Sequence, residues 1–214
     1  MIEGGMRKHL LILLLITGTA LRGFFVFKKR GPNYERLQTG DIVFQDTGGE
    51  QGEAVEAATG SKFTHCGVVF EQNGTLYVLE AVQPVSVVKL SQFRGRSQVF
   101  HARRLKDPGK IDVPALAKGL AWGRKQIGKD YDPLFQWDDE TLYCSELVWK
   151  VYEKSTGLKL CEPRTFQSYV LDQPAVRRVI EQRYGDIGKL PANEPVVAPS
   201  DLAASPLLKE VPRR

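Results

Sequence analysis

Two rhythms of apolar and polar positions run along the chain, and the switches between them mark its elements. After the capping cluster Asp138-Asp139-Glu140-Thr141, the residues Cys144, Leu147, Val148, Val151 and Tyr152 recur at helical spacing on one stripe. They predict a helix ending near Gly157. With Asp139 or Thr141 as its N-cap, Cys144 falls in the first turn. Upstream, residues 63–70 and 76–82 are strand-like runs flanking Gln72-Asn73-Gly74-Thr75, and Asn-Gly is the preferred centre of a two-residue type I′ hairpin. That turn sets Gln72 opposite Thr75, Phe70 opposite Tyr77 and Gly67 opposite Glu80. His65, Gly67, Val69, Val78, Glu80 and Val82 then share one face, and Cys66, Val68, Phe70, Tyr77 and Leu79 share the other. Both faces are largely apolar, which predicts a sheet covered on each side or closed into a small barrel.

The other segments read more simply. Residues 37–45 form a turn feeding a short strand, and residues 50–59 form a short helix stopped by Gly60. Residues 85–90 and 98–103 are further strands. A helix capped by Asp112, with Pro114 in its first turn, reaches Ile127 and stops at Gly128. A last helix over 175–184 ends at Gly185. Beyond it Pro191, Pro195, Pro199, Pro206 and Pro212 predict an extended tail over 186–214, packed on the surface of a domain spanning 37–185. The fold class is α+β.

Charge narrows the partners. The chain of 214 residues has a net charge of +5, from 30 basic and 25 acidic residues. Residues 1–30 carry Arg7, Lys8, Arg22, Lys28, Lys29 and Arg30 against Glu3 alone. Taking six from 30 and one from 25 leaves 24 of each sign, so the body has no excess charge to attract nucleic acid. Within that leader, residues 10–21 are mostly apolar: short for a membrane span, and of the length of a signal-peptide core. Gly18 and Ala20 suit cleavage after Ala20. The alternative is a retained anchor running on through Phe24-Phe25-Val26-Phe27. It buries Arg22 at roughly 2–3 kcal/mol and gives membrane association through residues 10–27. Either way the leader predicts export, to the periplasm or to a membrane-anchored position facing the cell envelope.

The chemistry-bearing residues are few. Cys66, Cys144 and Cys161 make an odd count, no Cys-x-x-Cys occurs, and the histidines lack metal-ligand spacing. With no P-loop or dinucleotide fingerprint either, no metal or cofactor is expected. A cysteine at a helix N-terminus sits among unpaired N–H groups that favour thiolate, although a cysteine on an apolar stripe also serves as plain core. Glu80 is a diagonal neighbour of His65, and the bare Gly67 leaves room for their contact. Such a pair either orients a catalytic base or fixes register. Cys66 faces away from His65 and reads as core; His101 has no carboxylate placed beside it and reads as a surface strand residue. Together Cys144, His65 and Glu80 supply nucleophile, base and orienter for acyl transfer. Their chain order is permuted relative to papain-like enzymes, where the cysteine helix comes first.

At this point a family resemblance emerges. The segments Leu37-Gln38-Thr39-Gly40-Asp41-Ile42-Val43-Phe44, Thr64-His65-Cys66-Gly67, Val78-Leu79-Glu80-Ala81-Val82, Tyr131-Asp132 and Tyr143-Cys144-Ser145-Glu146-Leu147-Val148-Trp149 resemble the YiiX-like family, permuted papain-fold proteins of the NlpC-type superfamily. The resemblance implies an antiparallel sheet or small barrel packed on the cysteine helix. It also implies Cys144 as nucleophile, His65 as base and Glu80 as third residue of a cysteine peptidase or amidase, with no cofactor. The Cys144 N–H and a side chain near Tyr131 or Tyr143 are the candidate oxyanion donors. The expected substrate is a cell-envelope peptide or a lipid. Two other readings fit the same fold: a non-catalytic binding module and a lipid acyltransferase.

Overall fold

The computed structural model describes residues 37–212; the leader, with its candidate cleavage site and the apolar stretch at residues 10–27, lies outside them. In chain order the strands and α-helices are β1 (Ile42–Gln45), α1 (Gly49–Thr59), β2 (His65–Gln72), β3 (Thr75–Glu80), β4 (Ser86–Lys89), α2 (Leu90–Gly95), β5 (Phe100–Leu105), α3 (Val113–Arg124), α4 (Cys144–Thr156), β6 (Arg164–Thr165), α5 (Pro174–Tyr184), β7 (Pro195–Val196), α6 (Pro199–Ala203) and β8 (Leu208–Glu210).

The Asn-Gly turn organises the sheet. Asn73 and Gly74 have φ of 50° and 73°, the left-handed pair a type I′ turn needs, and Gln72 pairs with Thr75, Phe70 with Tyr77 and Val68 with Leu79. From this hairpin an antiparallel sheet grows in the order β4-β3-β2-β1-β5-β8. Among the described residues the order has two free ends: this is an open sheet covered on both faces, not a closed barrel. On one face Ile42, Phe44, Cys66, Val68, Phe70 and Leu79 pack with Leu147, Val148, Val151 and Tyr152 of α4. On the other, Val43, Val69, Val78 and Ala102 lie under Phe93 of α2, with Leu37, Phe100 and Val211.

Close packing of α3 on α4 brings α4 down onto the sheet. A Cβ at Gly119 would stand 2.1 Å from the Ser155 hydroxyl and 2.2 Å from the Val151 carbonyl, so only glycine permits this approach. The Leu37–Phe44 motif anchors the other end of the assembly. Buried Asp41 accepts from Arg104 Nε at 2.6 Å and Nη2 at 2.8 Å, and the Tyr152 hydroxyl of α4 donates to the Gly40 carbonyl.

Several boundaries differ from expectation. α4 is preceded by Tyr143 at the N-cap position, so Cys144 is its first residue; the Asp139 carboxylate accepts from the Lys150 ammonium instead, and Thr141 sits in a turn where its N–H donates to the Asp138 carboxylate. α3 ends at Arg124 rather than Ile127, and a tighter turn carries the chain to Gly128 at φ 91°. The chain after Tyr184 does more than lie over the surface. It adds β7 beside β6, α6, and β8 as an edge strand of the main sheet, burying Val197, Leu202, Leu208 and Val211. Among the described residues no helix is long and apolar enough to cross a membrane.

Candidate active site

His65 opens β2 and Glu80 closes β3, and the hairpin register places them diagonally on one face. The His65 Nε2 lies 2.6 Å from Glu80 Oε2, with both side chains buried. Gly67 makes the contact sterically feasible. A Cβ there would sit 2.4 Å from Val78 Cγ1, 2.9 Å from the Leu79 carbonyl and 3.3 Å from Glu80 Cβ. Glu80 has a second partner that the sequence did not flag: Arg96 Nη1 donates to its Oε1 at 2.7 Å and Oε2 at 2.9 Å. Burial pushes the Glu80 carboxyl up, but the bonds from His65 and Arg96 outweigh it and hold the group below its ordinary range. Phe93 stacks on the imidazole, with centroids 5.8 Å apart, and fixes the plane of the ring.

With Nε2 committed to Glu80, the other ring nitrogen serves Cys144. Cys144 begins α4, where the first N–H groups have no intrahelical partner. Its strongest stabiliser is the Cys66 thiol, which hydrogen bonds to it; burial opposes, and the His65 charge, the His65 hydrogen bond and the Cys66 backbone N–H all add to the first. The result is a thiol well below its ordinary pKa. For His65, burial pushes downward, but Cys144 and Glu80 together overcome it and raise the imidazole to about 9. The arrangement is a thiolate–imidazolium pair buttressed by a carboxylate.

Cys66 is core, as its register predicts, and it also neighbours Cys144. The register does turn it onto the face opposite His65, into the core cluster of α4. That face is where α4 packs, and α4 begins at Cys144, so the first two residues of β2 reach the same sulfur from two sides. Burial and the neighbouring Cys144 charge push the Cys66 thiol up, which keeps it a proton donor. Cys161 is elsewhere: its carbonyl accepts from Trp149 Nε1, and burial lifts its thiol to about 12. His101 sits on β5 with its ring against Phe63 and Nδ1 3.7 Å from Glu210. Its partners belong to the β5–β8 edge.

Of the two candidate tyrosines, Tyr143 turns its hydroxyl toward the backbone N–H of Val197, accepting at 3.3 Å. The Tyr131 hydroxyl accepts from Gln51 Nε2 at 2.7 Å, and burial together with the nearby Cys144 charge keeps it protonated. Asp132, next to it, accepts from the N–H groups of Leu134 and Gln136, and a bridge from Tyr131 to Leu142 ties this loop to the start of α4. Tyr131 and Cys144 face a common cleft. Its walls are mostly apolar: Ala54, Val55 and Ala58 of α1, Val176, Val179 and Ile180 of α5, and Phe135, Phe166, Leu171 and Val197 from the loops. Among the described residues, the one cation lining it, Arg183, donates to the Pro133 carbonyl and to Gln51 Oε1, each at 2.6 Å.

Residues 36–212 match the model of a family described as permuted papain-like amidase enzymes, YaeF/YiiX, C92 family. The chain belongs to that family. The uncharacterized protein YiiX of Escherichia coli (strain K12) is 35% identical over 176 residues, spanning 81% of this chain and 85% of its own. A crystal structure described as metalloprotein yiiX from Escherichia coli O157:H7 aligns with a TM-score of 0.77 at 34% identity, over 84% of this chain and 99% of that one. The fold is therefore the permuted papain-like one, and the protein is a member of an amidase family. Among the described residues of this chain, no group of three or more His, Cys, Asp or Glu side chains could hold a metal ion.

Proposed function

We propose that the protein is a cysteine hydrolase that cleaves an amide or ester bond to an apolar acyl group, with Cys144 as nucleophile, His65 as proton carrier and Glu80 as orienter. One observation carries the reading: a cysteine whose thiol is lowered by a buried His–Glu pair opens into a cleft walled by aliphatic and aromatic side chains. The thiolate adds to the carbonyl carbon, forming the C–S bond. The oxyanion is met by the Cys144 N–H and the Tyr131 hydroxyl. The His65 imidazolium then gives its proton to the departing nitrogen or oxygen, leaving an acyl thioester. Neutral His65 next takes a proton from water; hydroxide adds to the thioester, the C–S bond breaks, and a carboxylic acid leaves with the thiolate restored.

The cleft favours a lipid-like acyl chain over a cell-wall peptide, whose charged groups would find, among the described residues, a single cation on its walls, Arg183, already hydrogen-bonded to Pro133 and Gln51. The leader adds export to the proposal, which brings the enzyme to the envelope and its lipids. The test is a series of acyl esters and N-acyl amino acids running from acetyl to palmitoyl. Each added methylene buried in the cleft contributes about 0.8 kcal/mol, or roughly fourfold in kcat/KM, until the cleft is full. Cys144→Ala should abolish turnover. Turnover that ignores chain length, or that survives Cys144→Ala, refutes the proposal.

A further inference from the structure

The cleft has a direction, set by two helices that run past each other in opposite senses. α1 presents Gln51, Ala54 and Ala58 to it at the spacing of one helical face, and α5 presents Arg183, Val179 and Val176. Arg183 Nη2 donates to Gln51 Oε1 at 2.6 Å and Gln182 Nε2 to Glu50 Oε2 at 3.4 Å, so the last turn of α5 meets the first turn of α1. At the other end the Val170 N–H, shortly before α5 begins, donates to the Ala58 carbonyl at 3.1 Å. An apolar trough therefore runs between antiparallel helices, with its polar ties at the Gln51 end.

The catalytic groups stand at that same end. Gln51 Nε2 donates to the Tyr131 hydroxyl at 2.7 Å, and the backbone of Tyr131 bridges to Leu142, just ahead of Cys144. A Cβ at Gly52 would stand 3.6 Å from the hydroxyl of Thr64, the residue before His65. Alanines on a helix face commonly serve close packing against a neighbour, but Ala54 and Ala58 both border the cleft. We propose that the trough is a ruler for the acyl chain: the carbonyl lies at Cys144, the chain runs along α1 away from Gln51, and Ala54 and Ala58 leave the space that sets the accepted length. The seven residues from Gln51 to Ala58 span about 10.5 Å of helix, room for about eight methylenes at about 1.3 Å each. Past Ala58 lies Val170, which is 48% exposed, so a longer chain emerges there and gains little further burial. The favoured substrate is a medium-chain acyl ester or amide.

This inference rests on the reading of the protein as a Cys144 acyl hydrolase, and the experiment separates the two. The full chain is assayed on p-nitrophenyl esters from acetyl to palmitoyl. In the wild type kcat/KM should climb to about octanoyl and then level off. Ala58→Leu puts three more carbons of side chain into the trough and should lower the octanoyl-to-butyryl ratio of kcat/KM by about sixtyfold, three methylenes at roughly fourfold each. Ala54→Leu, nearer the carbonyl, should bring the levelling point to shorter chains than Ala58→Leu does. Ala58→Val, a smaller change for the fold to absorb, should shift it in the same direction by less, and melting temperature together with the alkylation rate of Cys144 identifies the variants that fold. Variant profiles parallel to the wild type, or a larger shift from Ala58→Leu than from Ala54→Leu, overturn the ruler, as does a wild-type rate that keeps climbing to palmitoyl. Each of those results leaves the hydrolase reading standing. A wild type that turns over no ester of the series, or one whose turnover ignores chain length, overturns both.

Discussion

The thiolate–imidazolium pair makes a quantitative demand on the pH profile of Cys144. A thiol with an ordinary pKa of about 8.5 gains thiolate, and so alkylation rate, by about a hundredfold between pH 6 and 8. Cys66 and His65 both stabilise the Cys144 charge and hold its thiol well below that ordinary value, and His65 keeps its proton to about pH 9. Its alkylation by iodoacetamide should therefore rise far less steeply over that range than that of an ordinary thiol. The sign follows from linkage. A histidine raised above its free value contributes attraction that is complete below about pH 6.5 and fades as pH climbs through about 9. The plateau rate should fall below that of a free thiolate at high pH, since nucleophilicity drops with pKa. The assay is clean because burial raises the thiols of both Cys66 and Cys161. In His65→Ala the charge and hydrogen bond of the imidazole vanish while the burial penalty remains, so the rate should climb steeply with pH. A tenfold rise per pH unit in the wild type refutes the ion pair. A flat profile in His65→Ala would assign the thiolate to Cys66 and the helix terminus instead.

Other substitutions probe the supports of the pair. Gly67→Ala sets a methyl against Val78 and the rigid Leu79 carbonyl, and should cost about 1–3 kcal/mol, a fall of roughly 2–12 °C in melting temperature; an unchanged melt would show that β3 can yield. Arg96→Ala takes two hydrogen bonds from buried Glu80, at about 1 kcal/mol given the half-exposed guanidinium, and should slow turnover. Because Nη1 alone spans both carboxylate oxygens, Arg96→Lys should restore most of the loss, and failure of that rescue would point to a need for the planar guanidinium. Tyr131→Phe should lower kcat by about 10²–10³ while leaving KM and the alkylation rate of Cys144 unchanged, and an unaltered kcat removes Tyr131 from the oxyanion site.

The parts of the fold that were legible in the sequence are those set by local chemistry. Asn73-Gly74 determines the hairpin and, through its register, the faces of every residue from His65 to Glu80. Gly60, Asp112 and Gly185 mark helix ends because each satisfies a backbone need within a few residues. What was not legible depends on distance along the chain. β8 pairs with β5 across about a hundred residues, and nothing in three residues announces that partner. Its prolines suggested an extended tail, yet Val197, Leu202, Leu208 and Val211 fill gaps in a core built by segments far upstream. α2 has only Leu90 and Phe93 as apolar positions, too few for a helical period to appear.

The same division runs through the site. His65 and Glu80 meet because they belong to one hairpin, so their contact could be read from a turn and a two-residue period. Arg96 follows a short helix and a change of direction, and only the folded chain brings it to Glu80. Cys66 is the sharper case. Register correctly separated it from His65, but a face of a sheet acquires meaning only from what packs on it. The α3–α4 pair lands on the Cys66 face, held close by Gly119, and sets the first residue of α4 at the end of β2. The strand can then present an imidazole and a thiol to one sulfur from its two sides. A residue read as core is thereby both core and a partner of Cys144, and the distinction the sequence suggested between packing and chemistry does not hold at this position.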